Sequence, residues 1–215
     1  MFSVANAFVL KAKNMLQKIA ALAGMIGPVF FGGMIVILTI VEYDFMRSLR
    51  WHPIYAVTTD WPSGLALGPY GGWMVATFLG GGLLLMLFAV SLWQRFPESI
   101  GPKFLFAAGG ALMMLSFLTD PTFRSDPAVT WHGVLHDTAY ILLGLSILPG
   151  LFLMAREFGR QPAWRWQAKL TWLVLILTVP TFIIKSITFY IFLFAILSWY
   201  ELIAIKLWRS RNPKN

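Results

Sequence analysis

The chain of 215 residues has three histidines, and two of them, His132 and His136, stand four residues apart. On a helix that spacing puts both imidazoles on one face. It is a common way for a helix to offer two nitrogen ligands to one metal ion. Asp120 closes the preceding apolar segment in Thr119-Asp120-Pro121 and could supply a third ligand, leaving a coordination position for water. Asp44, Asp60 or His52 could serve in its place. Zinc or another divalent metal held in this way lowers the pKa of its bound water and makes it a nucleophile. The chemistry would then be metal-assisted hydrolysis of a lipid or another membrane-associated substrate. Arg47 or Arg50 would steer an anionic headgroup, with Asp44 and His52 in the same segment.

A plainer reading fits the same residues. Asp120, His132 and His136 could form a hydrogen-bonded cluster that ties loops to helix ends, with Asp137 a first-turn acid favoured by the helix dipole. The protein would then be non-enzymatic and would bind a lipid or a partner through these loops. Other chemistries are poorly served. There is no cysteine, which excludes disulfides, thiolate metal sites and cysteine nucleophiles. A bis-histidine haem within a bilayer needs ligands from facing helices, whereas these two share one helix near its end. No glycine-rich phosphate loop follows a strand. The deep ionisable group, Glu201, is expected to pair with Lys169 near the inner end of the fifth span. No inverted repeat with matched broken helices points to a transporter.

The elements that must position these residues follow from composition. Hydrophobic residues make up 58% of the chain and charged residues 12%, against roughly 45–50% and about 25% in soluble domains. The mean hydropathy is +0.71. Six apolar segments, at about 19–41, 73–93, 103–119, 132–155, 168–184 and 186–208, approach or exceed the about 20 residues a span needs. The expected fold is all-α: a polytopic membrane protein with six transmembrane helices in one bundle. A basic segment, 1–18, precedes the bundle and a basic tail, 209–215, follows it. The longest connection, 42–72, lies on the outer side. Within it Phe45, Met46 and Leu49 are spaced like the apolar face of a short interfacial helix.

Orientation follows from the basic residues. Of the 17 Lys and Arg, thirteen fall in the two tails and the second and fourth connections, and four in the other three connections. Both termini are therefore expected in the cytoplasm. The net charge of +8 is dispersed along the chain and suits membrane flanks, so no nucleic-acid partner is expected. The first apolar run is longer than the about 7–15 residues of a signal-peptide core, so it is expected to remain as a span. Tryptophans mark the boundaries: Trp51, Trp61, Trp73 and Trp131 at the outer ends, Trp93, Trp164, Trp166 and Trp208 at the inner ends. Gly24, Pro28 and Gly32 in the first span, Gly80–Gly82 in the second and 107–111 in the third are small residues of the kind that let helices approach closely.

Several of these runs occur together in one family. The run Trp61-Pro-Ser-Gly-Leu-Ala-Leu-Gly-Pro-Tyr-Gly-Gly-Trp73, leading into a glycine-rich span, resembles the domain-of-unknown-function family 998 (DUF998) of integral membrane proteins. So do Phe117-Leu-Thr-Asp-Pro121 followed by His132-Gly-Val-Leu-His136, the start of the first loop at Glu42-Tyr43-Asp44, and Ala155-Arg156-Glu157-Phe158. The resemblance implies a six-helix protein of a bacterial or archaeal cell membrane and implies no established activity. A looser likeness, in chemistry alone, is to seven-helix membrane hydrolases of the ceramidase and adiponectin-receptor kind, which set histidines, an aspartate and a serine around zinc. Ser116 is the nearest serine in the third span.

Overall fold

In lipid each backbone N–H and C=O must be satisfied inside the protein, and a single segment does this only as a helix. The computed structural model describes residues 2–48, 62–120, 129–182 and 187–211, and among them every regular element is helical. The α-helices are α1 (Phe2–Val41), α2 (Tyr43–Ser48), α3 (Gly71–Arg95), α4 (Gly101–Met114), α5 (Trp131–Arg160), α6 (Arg165–Thr178) and α7 (Ile187–Arg211). Short 3-10 turns occupy Pro62–Leu67, Pro162–Trp164 and Val179–Phe182. From Phe2 the basic amino-terminal segment is the first part of α1.

Among the described residues four helices are long and apolar enough to cross a membrane: Lys18–Val41 of α1, all of α3, all of α5, and Tyr190–Ser210 of α7. Helices α4 and α6 have 14 residues each, about 21 Å of helix against an apolar bilayer core of about 30 Å. As helix they are shorter than the segments 103–119 and 168–184 suggested. Proline sets part of this limit. Pro102 sits in the first turn of α4, where its missing N–H is harmless. At the far end of α6, Pro180 has no N–H to continue the α pattern, and the chain tightens into the 3-10 turn. Beyond Met114 the chain continues in tight turns, the Ser116 and Phe117 N–H groups donating to the carbonyls of Met113 and Met114.

Six of the helices, all but α2, close into a ring. Each of α3 to α6 packs on the next in sequence, and α1 packs on both α3 and α7. Consecutive members run antiparallel. The start of α3, the end of α4 and the start of α5 therefore meet at one bundle end, called here the Glu42 end. The opposite end holds an aromatic stack. The Phe96 ring stands 5.2 Å from Phe158 and 5.1 Å from Trp164, and those two stack 5.0 Å apart. Arg95 lies 5.0 Å over the Phe96 ring and Lys206 lies 5.8 Å over the Trp164 ring. Trp164, expected at the membrane interface, is instead buried in this stack. Trp73, Trp93, Trp131 and Trp166 are exposed, as interfacial anchors would be, while Trp51 and Trp61 lie outside the described residues.

Two further expectations are corrected by packing. Met46 of α2 is buried in one cluster with Leu65 and Met74, so this short helix packs into the bundle end rather than laying an apolar face on lipid. Its expected partner Leu49 lies outside the described residues. Among the described residues the ion pair present is Arg160–Glu157 at 3.4 Å. The expected pair between Glu201 and Lys169 does not form: Lys169 is exposed, and Glu201 Oε2 is buried without a hydrogen-bond partner. Where α3 crosses α4, Gly82 and Gly109 face each other. A Cβ on Gly82 would stand 2.5 Å from the Gly109 carbonyl oxygen, and one on Gly109 2.7 Å from that of Gly82. Backbones approach this closely only where neither residue has a side chain.

Candidate functional site

Thr130 caps the start of α5, in extended conformation, and its hydroxyl accepts the Gly133 N–H at 3.1 Å. Asp120, arriving from the end of α4, takes both donors that Thr130 offers. Oδ2 accepts the Thr130 N–H at 2.9 Å and Oδ1 accepts the Thr130 hydroxyl at 2.6 Å. These bonds, the hydroxyl's first, hold the Asp120 carboxyl below the usual aspartate range. His132 Nδ1 lies 2.7 Å from the same hydroxyl. The hydroxyl has one hydrogen and gives it to a carboxylate, which can only accept. Nδ1 of His132 must therefore be the donor in that contact. Gly133 completes the arrangement, since any Cβ there would collide with the Asp120 carboxylate.

His136 lies one turn deeper and is 6% exposed. Its Nδ1 stands 2.7 Å from the Phe117 carbonyl oxygen and 3.1 Å from that of Leu115. These carbonyls lie beyond the end of α4, where no further helical turn supplies N–H groups to them. Both are acceptors, so Nδ1 carries hydrogen. The Phe78 ring meets the imidazole edge-on, centroids 6.4 Å apart. Asp120, His132 and His136 are thus gathered at one bundle end, each with a hydrogen-bonding task between α4 and α5. Among the described residues no three His, Asp or Glu side chains are placed to hold one metal ion. Asp137 is not the first-turn acid expected, because α5 begins at Trp131 and has no acid in its first turn. The dipole's influence fades within that turn.

A third joint lies beside these. The Glu42 side chain is 2% exposed, and its Oε1 accepts the Tyr70 N–H at 2.6 Å, at the start of α3. Burial raises its carboxyl above the usual glutamate value, against the opposing pull of the Tyr70 N–H. Gly68 leaves room for the carboxylate, which any Cβ there would strike. Asp44 and Arg47 of α2 are exposed, and the Arg47 guanidinium lies 5.9 Å over the Tyr43 ring. Arg50, His52 and Asp60 lie outside the described residues.

The helices of the ring line a partly open cavity of about 320 Å³, within the size range of small-molecule sites. Its walls are apolar, with Phe31 from α1, Phe78 from α3, Leu112 from α4 and Ile196 from α7. Toward the Glu42 end the lining includes Ser63, Thr119, His136, Asp137 and Tyr140, while Tyr200, whose buried hydroxyl has no hydrogen-bond partner among the described residues, lines the cavity nearer its other end. The sequence pointed to the histidines and Asp120 but missed two things. Thr130 as the shared partner was readable as a helix-capping threonine immediately before Trp131. The cavity had no local signal, because its lining comes from helices far apart in sequence.

A family model described as "Protein of unknown function (DUF998)" matches residues 34–205. No curated protein matches the chain. No solved structure matches it either. The match spans the ring from the second half of α1 to α7, including all three joints, and on that ground the chain belongs to the DUF998 family.

Proposed function

We propose that this protein is a six-span membrane protein of a prokaryotic cell membrane that binds an amphiphilic, lipid-derived molecule inside its helix ring and does not turn it over. The observation that carries this reading is the largely apolar cavity with most of its polar residues gathered at one end. That pattern suits a molecule with a chain and a headgroup. The Asp120–Thr130–His132 and His136–Phe117 hydrogen bonds support it by giving the polar cluster structural work. The excess of basic residues at the opposite end supports cytoplasmic termini, with the polar end of the cavity outward.

Organic extracts of protein purified from its membranes should contain one lipid-derived species in near-stoichiometric amount by mass spectrometry. Leu112→Trp and Ile196→Trp add bulk to opposite walls and should each expel it while helical content is kept. Wild-type protein that carries nothing, or both variants retaining the species, would overturn the reading. Elemental analysis of the same preparations separates it from hydrolysis. Near-stoichiometric zinc, lost on replacing His132 and His136 by Ala, would favour metal-assisted hydrolysis instead.

A further inference from the structure

Resting on that reading of the cavity, we propose that the ligand's headgroup is a neutral or cationic hydrogen-bond donor, a hydroxyl or an amine. His136 receives it, and Asp137 turns anionic amphiphiles away. The argument begins with a tautomer. His136 lines the cavity, and its Nδ1 lies between two backbone carbonyls that can only accept. With the hydrogen fixed on Nδ1, the position left for a lone pair on an uncharged imidazole is Nε2. The ring cannot swing to present its other edge without leaving the Leu115 and Phe117 carbonyls unsatisfied, a loss that is costly in a dry interior. A side chain that is nearly all buried thus offers the cavity an acceptor and no donor.

Charge points the same way. Among the described residues that line the cavity, Asp137 is the formally charged one, and no lysine or arginine joins it. An anionic headgroup at that end would lie near a carboxylate, with no cation among the lining residues to offset it. Arg47, expected to steer an anionic headgroup, lies against the Tyr43 ring and does not line the cavity. Thr119 and Thr181 give their hydroxyl hydrogens to the carbonyls of Asp120 and Thr178, which leaves them as acceptors. Ser63, Tyr140 and Tyr200 also line the cavity, and a hydroxyl can serve as donor or acceptor, so these three favour neither kind of headgroup. The fixed imidazole and the carboxylate decide.

Dodecanol, dodecylamine and dodecanoate share one chain and differ in headgroup. Offered together in equal amounts, near neutral pH, to the protein in lipid nanodiscs, they can be counted by mass spectrometry after repurification. The alcohol and the amine should each be retained about tenfold or more over the carboxylate, which corresponds to about 1.4 kcal/mol or more. His136→Asn keeps a donor at the place of Nδ1, so the carbonyls stay satisfied, and removes Nε2. It should lower retention of the alcohol about tenfold. Asp137→Asn should raise retention of dodecanoate. Equal retention of all three, with loss of all three in Ile196→Trp, would sink the headgroup inference and leave the cavity reading standing. Retention of none by wild-type protein would sink the cavity reading itself. Should His136→Asn fail to fold, Asp137→Asn on its exposed side chain decides, since unchanged rejection of dodecanoate there overturns the charge argument.

Discussion

Thr130 has one hydroxyl hydrogen and three partners, and this scarcity makes the joint sensitive to single atoms. Its hydroxyl gives that hydrogen to Asp120 and receives from Gly133 and His132. Thr130→Ala removes all three interactions, and a lost helix cap of this kind costs about 1–2 kcal/mol. The variant should melt at a lower temperature, whereas Thr130→Ser, which keeps the hydroxyl, should melt close to wild type. Equal melting of the alanine variant and wild type would show that the joint contributes nothing. The Asp120 carboxyl is held low by Thr130, so its contribution is present above the unfolded-state value, about 3.9, and fades as pH falls through the lower folded-state value. In Thr130→Ala the folded-state value should return toward the ordinary one. The gap in melting temperature between variant and wild type should therefore narrow as pH is lowered below about 4. A gap that widens on acidification would contradict this assignment.

Helix against helix, the ring depends on surfaces that admit no extra atoms. Gly82 and Gly109 touch backbone to backbone, while one residue on, Gly110 has open space where a Cβ would go. Gly82→Ala should therefore cost about 1–3 kcal/mol as α3 and α4 are pushed apart, and Gly110→Ala should be neutral or stabilising by up to about 1 kcal/mol through backbone entropy. Thermal unfolding of the pair in one detergent checks both, and equal melting temperatures would contradict the crossing. The small residues of both segments were legible as packing surfaces, but which glycine makes the contact was not, because that depends on how the helices are rotated. The same limit explains the other differences. Apolar runs revealed the helices, since hydropathy is local. The burial of Trp164, the isolation of Glu201 from Lys169 and the burial of Met46 depend on neighbours far away in sequence. His132, His136 and Asp120 could be grouped from spacing alone, but the directions of their hydrogen bonds required the third partner, Thr130.

For the whole molecule the decisive question is how often the chain crosses. Helices α3 and α5 run in the same direction. Their carboxyl ends meet where Arg95 donates to Gln161 at 3.3 Å, and their starts meet where Phe78 packs edge-on against His136. If both span the bilayer, the chain must return between them, and α4 with its following turns is the segment available. The same logic applies to α6 between α5 and α7. A 14-residue helix is short for that task, but local thinning of the bilayer can absorb such a mismatch at modest cost. The chain has no cysteine, so single introduced thiols report without background. With a membrane-impermeant reagent, Glu98→Cys and Ala163→Cys should be labelled from the cytoplasmic side, and Asp44→Cys and Val129→Cys from the opposite side. Glu98 and Val129 flank α4, and both are exposed. Labelling of those two from the same face would make α4 re-entrant and the crossings fewer than six. The polar end of the cavity would then have to be reassigned to whichever leaflet Val129 reports.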